Sequence, residues 1–525
     1  MKKKASILAI VLAIILAMPV FAVASEEEYI QLRQAAYELN AEVAWDSYSR
    51  TVTITCESGV SHTVVVEEVG GFIREGISWV PSSFATAGLV ALLAQDAHDE
   101  VVSTDHWDPE NFPNVRDARF STDLPHGVIS VNYIEYMSDN LGARSAFTYR
   151  ELETAVWIVE ELLAMGHSWD AIEVQEFDYW QVNELGLGLF PLDWFVVTSP
   201  MILGVGRDYQ LRADRVSQNV ILTIPGQSES TIIIGAHYDS PPYASASDNA
   251  SGTALLLESA QRMMEIEHYH TLVYVFFGAE EVGLIGAYYY LEMLTQNQRD
   301  NIVLMVNADV LIEGPYIVYG AAALPELTAE FLEELPALFI DATMDMFVMQ
   351  FEHIMTDFAA QGLDPQELLG FSELEEFIAL VAEEVSAMPI DALIMQASLM
   401  GAIEPVVNAT AAQVSALAAE LTAANDFEII SAPEIAIFPT DSLAFIFDGH
   451  TVVNFVGFER MGNLTPELKA QLTRLGEGFQ DFTVTILHSP LDEFHTIEYL
   501  WPGMMNANMH AFMLLLESIL VSEFN

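Results

Sequence analysis

The chain has 525 residues, of which 18 are basic and 76 are acidic, so its formal net charge is −58. Nucleic acid and anionic membrane surfaces repel such a chain, and binding to either is therefore not expected. The length and the hydrophobic content of 52% predict two or three folded domains with large cores and argue against disorder.

The first 24 residues have the features of a bacterial secretory signal peptide. A basic start at Lys2–Lys4 precedes an unbroken apolar run at Ile7–Met18, and Ala22–Ala24 supplies the small residues of a cleavage site. The apolar run is short for a membrane span, although an uncleaved anchor is the alternative. We expect residues 1–24 to be removed and the mature chain to be secreted or extracellular at the cell surface, without membrane insertion.

Residues 26–90 predict a small α+β module. A short helix precedes two strand-like stretches, Val43–Trp45 and Thr51–Thr55, and Cys56, the only cysteine, excludes an internal disulfide. The stretches LRQAAYELNAEVAWDSYSRTVTI and GISWVPSSFATAGL resemble the small repeat module first named from the N-terminus of copper amine oxidases. The resemblance implies a non-catalytic domain that contacts the cell wall or another surface partner, and it does not imply copper.

Residues 91–125 are rich in Pro, Asp and Asn and predict a linker. From residue 126 to 525 the pattern is α/β. A capping box at Thr148 and Glu151 opens a helix that ends at Gly166. Apolar runs such as TIIIGAHYD, TLVYVFFGAEE and NIVLMVNAD alternate with helical stretches, which is typical of strands buried on both faces. We predict a mixed, mostly parallel central sheet flanked by helices.

A helical insertion interrupts this pattern at about residues 324–425. The segment is rich in Ala, Leu, Met and Glu at helical spacing, and a capping box at Ser372 and Glu375 opens one of its helices. After it, IFPTDSLAFIFDGHTVVNFVGF restores the strand texture, and the chain ends on a helix from about Met504 to Ile519.

Histidine and acidic residues follow the predicted strands, at the sheet edge where open α/β folds bind ligands. These residues are His237, Asp239, Asp248, Glu280, Glu281, Asp309, His488 and Asp492. Two histidines and three carboxylates, as offered by His237, Asp248, Glu281, Asp309 and His488, suit zinc or another borderline divalent metal. Because the chain has one cysteine, a closed structural zinc site is not expected.

In this order and context, the motifs resemble the M28 family of zinc peptidases over roughly residues 128–323 and 430–525. The best matches are NVILTIPGQSESTIIIGAHYDS and SDNASG. TDSLAF also resembles that family's Ser-Asp-His-x-x-Phe stretch, with the histidine replaced by Leu443 or shifted. The resemblance implies a zinc-exopeptidase fold, two Zn²⁺ ions per chain, and hydrolysis of the N-terminal bond of peptides with a free N-terminus by a hydroxide shared between the metals.

The resemblance also implies the metal ligands. His237 and Asp309 would hold one zinc, Glu281 and His488 would hold the second, and Asp248 would bridge the two. Two metals held by a bridging carboxylate can share a hydroxide, polarise the scissile carbonyl and hold the substrate amine.

Three further carboxylates receive roles from the same resemblance. Glu280 would be the general base, and the adjacent Glu281 can point at the metal while Glu280 points at water. Asp239 would orient the imidazole of His237, and Asp492 would do the same near His488.

The sequence departs from the family pattern at two places. Leu487 stands where many two-zinc members have a Tyr that helps to stabilise the oxyanion, so that donor must come from elsewhere. The insertion separates Asp309 from His488 and is either a lid or rim that restricts the cleft to short peptides, or a remote decoration or dimer arm. We expect four histidines outside the ligand set to be structural or exposed, namely His268, His270, His353 and His495.

Three classes of function stay open at this point. An aminopeptidase is favoured by the complete ligand set, and related carboxypeptidases or dipeptidases share its metal chemistry. A glutaminyl-cyclase-like acyltransferase would use the same fold with one zinc. A non-catalytic surface binding protein on a peptidase scaffold would usually lack ligands, and none is missing here.

Overall fold

The computed structural model of the chain describes most of the predicted α/β region. The described residues are 107, 118–178, 216–241, 243–326, 328–342, 378, 382, 385, 393, 394, 403–438, 440–460, 482–483, 486–489 and 491–524, with six short strands between residues 29 and 81. The predicted signal peptide and N-terminal helix, most of the linker, Cys56, His353 and the capping box at Ser372 lie outside the described residues.

The N-terminal strands form two small antiparallel sheets. They are β1 (Tyr29–Gln31), β2 (Glu42–Asp46), β3 (Thr51–Thr55), β4 (Ser61–Val65), β5 (Phe72–Arg74) and β6 (Ile77–Pro81). One sheet has the order β1-β6-β5 and the other β2-β3-β4. The strand-like stretches predicted near residues 43 and 51 are therefore strands, while the likeness to the amine oxidase module stays a prediction.

A nine-stranded mixed sheet forms the centre of the α/β region. Its strands are β7 (Ile172–Asp178), β8 (Val216–Ile224), β9 (Thr231–His237), β10 (Thr271–Phe277), β11 (Ile302–Ala308), β12 (Tyr316–Ala322), β13 (Ile429–Ser431), β14 (Val452–Arg460) and β15 (Phe482–Thr483). The order is β13-β12-β14-β11-β9-β10-β8-β7, and β15 pairs with β14. The central strands β10, β9, β11 and β14 are mutually parallel, which confirms the predicted fold class.

Helices cover both faces of this sheet. The described helices of this region are α1 (Val128–Tyr136), α2 (Tyr149–Met165), α3 (Gly252–Met263), α4 (Ile285–Met293), α5 (Gln296–Asp300), α6 (Ala329–Ala342), α7 (Ala409–Ala424), α8 (Ser442–Phe447), α9 (Phe494–Leu500) and α10 (Met504–Leu520). Along β9, Ile232 and Ile234 face the core shared with α1, α2, α3, α7 and α10, whereas Ile233 faces α4 and α8. The alternation explains why β9 reads as a continuous apolar run: both of its faces are buried.

The predicted start and end of α2 are confirmed, but Glu151 behaves differently from a capping-box residue. Thr148 accepts a hydrogen bond from the Glu151 amide, and Gly166 ends the helix with a φ of 106°. The Glu151 carboxylate accepts hydrogen bonds from the Phe147 amide (2.6 Å), one residue before the cap, and from Ser217 Oγ (2.6 Å) and the Ala279 amide (3.1 Å). The sequence pattern located the helix end correctly and missed the tertiary role of its acidic residue.

The stretch IFPTDSLAFIFDGHTVVNFVGF was expected to have strand texture throughout, and this is wrong for its first part. Ser442–Phe447 is the short helix α8, and the strand β14 begins only at Val452. Leu443, Phe445 and Ile446 are fully buried, and a short apolar run that is buried on all sides has no periodicity to separate a helix from a strand.

The segment predicted as an insertion leaves and rejoins the fold at one place. Ala323 and Val406 form an isolated antiparallel bridge, with N–H···O distances of 3.0 and 2.8 Å. Beyond it, α7 buries Ala411 and Val414 in the main core and packs against α10, β12 and β13. In the part of the chain that the structure describes, no helix is long and apolar enough to cross a membrane.

Candidate metal centre

The predicted site residues meet at one edge of the sheet. His237 is the last residue of β9, Asp309 directly follows β11, and Glu280 and Glu281 lie three and four residues beyond the end of β10. Because these three strands are parallel, their carboxyl ends lie at the same edge. Three of the predicted strand-end positions are thus brought together by the topology itself.

The imidazole of His237 lies at the centre of one group of oxygen ligands. Its Nε2 is 3.2 Å from Asp248 Oδ1, 3.3 Å from Asp309 Oδ1 and 3.9 Å from Glu280 Oε2. The ligand atoms of His237, Glu280 and Asp309 all lie within 4.8 Å of one another, as do those of His237, Asp248 and Glu281.

A second group of contacts surrounds His488. Its Nε2 is 3.0 Å from Asp248 Oδ2 and 3.3 Å from Glu281 Oε2. Asp248 therefore directs one carboxylate oxygen at His237 and the other at His488. His488 lies in a turn five residues beyond the two-residue strand β15, which pairs antiparallel with β14.

The chemistry of these side chains fits zinc. Imidazole nitrogens and carboxylate oxygens are borderline and hard ligands of the kind that zinc takes. Oε1 of Glu281 is buried and has no hydrogen-bond partner among the described residues, as expected for an atom whose partner is a cation.

Asp239 supports both the histidine and the glutamate pair. Its carboxylate oxygens accept hydrogen bonds from the amides of Glu280 (3.0 Å) and Glu281 (3.2 Å). Nδ1 of His237 lies 3.1 Å from the Asp239 carbonyl oxygen and 3.5 Å from its Oδ1. Nδ1 is therefore occupied by Asp239, and Nε2 is the nitrogen that faces the cluster.

Asp492 has a different partner from the one expected. It was expected to orient His488, but its carboxylate oxygens accept from the amides of Ser247 (2.6 Å) and Asp248 (3.1 Å). The turn at Ser489–Asp492 returns the chain toward the Asp248 loop, so that Asp492 fixes the backbone of Asp248.

Arg144 lies behind the cluster and was missed by the sequence reasoning. Its fully buried guanidinium donates to the carbonyl oxygens of Tyr238 (2.9 Å), Ala244 (2.9 Å) and Ser245 (3.1 Å). It thereby ties the residue after His237 to the segment that leads to Asp248. A single arginine in GARSAF carries no sequence signal for such a role.

Thr440 and Asp441 were also not assigned a role, although the motif TDSLAF contains them. Thr440 Oγ1 donates to Asp309 Oδ2 at 2.6 Å and accepts from Asn307 at 2.9 Å. Counted from Asp441 as the motif's aspartate, its histidine position falls on Ser442, a buried residue, and not on Leu443.

Strained backbone surrounds the cluster. Ser245, Ala279, Val310 and His488 have φ values of 50°, 55°, 55° and 52°. Ser245 lies three residues before Asp248, Ala279 directly precedes Glu280, and Val310 directly follows Asp309. Positive φ is unfavourable for all four of these non-glycine residues. Strain of this kind persists where the surrounding structure holds a functional geometry.

The carboxylates and histidines shift one another's pKa values. Burial lowers the pKa of His237, but the charges of Glu280 and Asp309 outweigh burial and raise it well above its usual value. Burial also lowers the pKa of His488, but nearby charges, that of Glu281 above all, outweigh burial and raise this pKa well above its usual value. Burial raises the pKa of Glu281 to about 7, and it raises that of Glu280 well above its usual range although His237 opposes the shift.

The remaining sequence expectations concern side chains around the site. Leu487 packs against an apolar cluster that contains Val310, so it offers no oxyanion donor. His268 and His270 are buried and hydrogen-bonded, and His495 is exposed with its Nε2 3.1 Å from Asp139 Oδ2.

Comparison with known proteins gives a family match to this region. Residues 219–361 match peptidase family M28. The matched stretch contains His237, Asp248, Glu280, Glu281 and Asp309, and His488 lies beyond it.

Curated relatives share the same part of the chain. A probable lipoprotein aminopeptidase of Mycobacterium tuberculosis is 37% identical over 115 residues, which are 21% of this chain and 23% of the relative. Aminopeptidase YwaD of Bacillus subtilis is 33% identical over 81 residues, 15% of this chain and 18% of the relative. The chain thus spans less than a quarter of the length of either relative. Among solved structures, a zinc aminopeptidase from Bacillus subtilis aligns with a TM-score of 0.44 and 13% identity, over 76% of this chain and 96% of that chain.

Proposed function

We propose that the chain is a secreted zinc-dependent aminopeptidase that hydrolyses the N-terminal bond of peptides through a two-zinc site. The observation that carries the proposal is the position of Asp248, with one carboxylate oxygen 3.2 Å from His237 and the other 3.0 Å from His488. A carboxylate placed in this way can bridge two ions. The match of residues 219–361 to peptidase family M28, and the aminopeptidase names of the relatives, support the same reaction.

The side chains divide into two ligand sets. His237 and Asp309 would hold one zinc, Glu281 and His488 would hold the other, and Asp248 would contribute an oxygen to each. When bound, paired zinc ions polarise the scissile carbonyl and lower the pKa of a bound water. Asp239, Thr440 and Asp492 position the ligands through the hydrogen bonds already described.

Glu280 is the proton carrier of the reaction. Its Oε2 lies 3.9 Å from His237 Nε2, at the edge of the ligand set, and its amide is fixed by Asp239. Burial raises the pKa of Glu280, so its carboxylate can take a proton from the attacking water and return it to the leaving amine.

Secretion follows from the sequence in this proposal. The basic start, the apolar run at Ile7–Met18 and Ala22–Ala24 form a signal peptide, and the lipoprotein relative is consistent with a place at the cell envelope. The N-terminal module would then provide contact with the cell wall or another surface.

The test is cleavage of aminoacyl-anilides and of N-blocked peptides by the purified chain, with and without chelator. We expect chelator-sensitive cleavage of the free-amine substrates alone. Glu280→Gln keeps the size of the side chain and should lower kcat by about 10²–10⁴-fold, because it removes general base catalysis. Zinc content by mass spectrometry should be unchanged in this variant. Cleavage of blocked peptides, or full activity of Glu280→Gln, would contradict the proposal.

A further inference from the structure

Asp441 is a buried carboxyl group without a hydrogen-bond partner. Its side chain is fully buried, and neither Oδ1 nor Oδ2 has a partner among the described residues. Leaving a buried carboxylate unpaired is costly, so such a group usually faces a ligand or a cation that completes its bonding. A substrate group that enters the site would supply such a partner.

The position of Asp441 points to the metal centre. Its neighbour Thr440 donates to the proposed ligand Asp309 at 2.6 Å, which fixes the start of α8 beside the cluster. Burial raises the pKa of Asp441 well above its usual range although the charge of His237 opposes the shift, and a cation placed beside the carboxyl group would lower that pKa again. Asp441 thus belongs to the cluster electrostatically, although neither ligand set contains it.

The charge of the site favours a cation as the missing partner. Seven largely buried carboxyl groups lie in or beside the centre: Asp239, Asp248, Glu280, Glu281, Asp309, Asp441 and Asp492. Two zinc ions and Arg144 would supply five positive charges, so a negative excess remains with both metals bound when all seven carboxyl groups are ionised. A cationic substrate group is attracted by this excess, and an anionic one is repelled.

Arg144 does not offer an alternative site for a substrate carboxylate. Its guanidinium is fully buried and donates to the carbonyl oxygens of Gly142, Tyr238, Ala244 and Ser245. Four of its five N–H groups are therefore taken by the backbone, and its full burial keeps a peptide C-terminus away from the group.

We infer that Asp441, and not a zinc ion, binds the free amine of the substrate, as the α-ammonium group, and so selects peptides with a free N-terminus. The inference rests on the proposed function and deepens it, because it names the residue that would separate aminopeptidase from carboxypeptidase specificity. An ammonium group donates three hydrogen bonds and would satisfy the carboxylate that is otherwise unpaired.

The test is a cycle in which the ligand amine and the Asp441 carboxylate are each removed. Leucine hydroxamate and 4-methylpentanohydroxamate differ only in the amine, and their affinities for the zinc-loaded chain are measured by calorimetry. In the wild type the amine should strengthen binding. In Asp441→Asn this advantage should fall by about 10- to 100-fold, the usual worth of a charge-assisted hydrogen bond. Asp426→Asn makes the same change at an exposed carboxylate and should keep the advantage.

The outcomes separate this inference from the proposed function. An unchanged amine advantage in Asp441→Asn with zinc retained overturns the ammonium role, even if the wild type cleaves aminoacyl-anilides. Loss of zinc from the variant also overturns it, because Asp441 would then act on the metals. If Asp441→Asn does not fold, a crystal structure of the wild type with leucine hydroxamate decides: the amine nitrogen should lie within about 3.2 Å of an Asp441 oxygen. A wild type that cleaves nothing defeats the proposed function itself.

Discussion

Single residues behind the metal ligands fix the geometry of the site, and Arg144 is the clearest case. Its guanidinium joins the carbonyl of Tyr238 to those of Ala244 and Ser245, and so links the strand end of His237 to the loop of Asp248. Burial lowers the pKa of Arg144 to about 10, although Asp492 opposes the shift, so the group stays charged at neutral pH. Its positive charge also offsets the carboxylates that crowd this edge of the sheet.

Replacing Arg144 should loosen the site without touching a ligand. Arg144→Met leaves several buried carbonyl oxygens without a donor, and we expect zinc affinity to fall by about 10- to 100-fold, as for other residues that orient metal ligands. Competition with a chromogenic chelator measures this change. Arg150→Met removes an exposed arginine that pairs with Glu153 at 2.8 Å, and it should leave zinc affinity unchanged. Equal zinc affinity in both variants would show that Arg144 does not position the ligands.

Residues differ in how far the sequence predicts them. His237, Glu280, Glu281 and Asp309 follow apolar runs that are evident as buried strands, so their meeting at one sheet edge could be predicted. Arg144 binds only carbonyl oxygens, which leaves no pattern of residue types to detect. The partner of Asp492 depends on how its turn folds back on the Asp248 loop, and spacing along the chain does not encode that direction.

The segment between β12 and α7 contributes none of the proposed metal ligands, and its role is therefore not explained by the metal centre. The Ala323–Val406 bridge closes it at its base, and α7 beyond the bridge belongs to the core. Residues 324–405 therefore form an insertion, here called the excursion, whose two ends meet at this bridge. It is shorter than the insertion at about residues 324–425 that the sequence predicted. The prediction included α7 because this core helix is as rich in Ala and Leu as the inserted segment, and composition alone does not separate the two.

The closed base makes a deletion practical. Replacing residues 325–404 with a short Gly-Ser linker should leave the bridge partners in reach, so the chain should fold and bind zinc. If the excursion is a lid over the cleft, the variant should gain activity on long peptides relative to dipeptides. The measurement is kcat/KM for a peptide series of increasing length. An unchanged length preference in a folded, zinc-loaded variant would mean that the excursion lies away from the cleft.

On the scale of the whole molecule, zinc binding and stability are linked through protons. Burial lowers the pKa of His237 and of His488, but nearby carboxylates outweigh it and raise both well above their usual values. Burial raises the pKa of Glu281 to about 7. Zinc must displace the protons that these groups hold, so its affinity rises with pH, and any ligand of the native state alone raises the stability of the fold.

The linkage predicts how zinc shifts the melting temperature. Adding zinc to the metal-free chain should raise Tm at pH 8 by more than it does at pH 6, because fewer protons compete at the higher pH. Thermal unfolding followed by circular dichroism at both values, with and without zinc, measures the difference. His488→Gln should reduce the shift at both values. A zinc-induced shift that is equal at the two pH values would contradict the linkage.

A two-zinc site bridged by Asp248 would bind two zinc ions per chain, and zinc stoichiometry tests this most directly. The metal-free chain is titrated with zinc while bound metal and cleavage of an aminoacyl-anilide are followed together. We predict saturation at two zinc ions per chain, with full activity only when both are bound, and loss of the second ion in Asp248→Asn. Saturation at one zinc ion, with cyclisation of N-terminal glutaminyl peptides instead of anilide cleavage, would contradict the account.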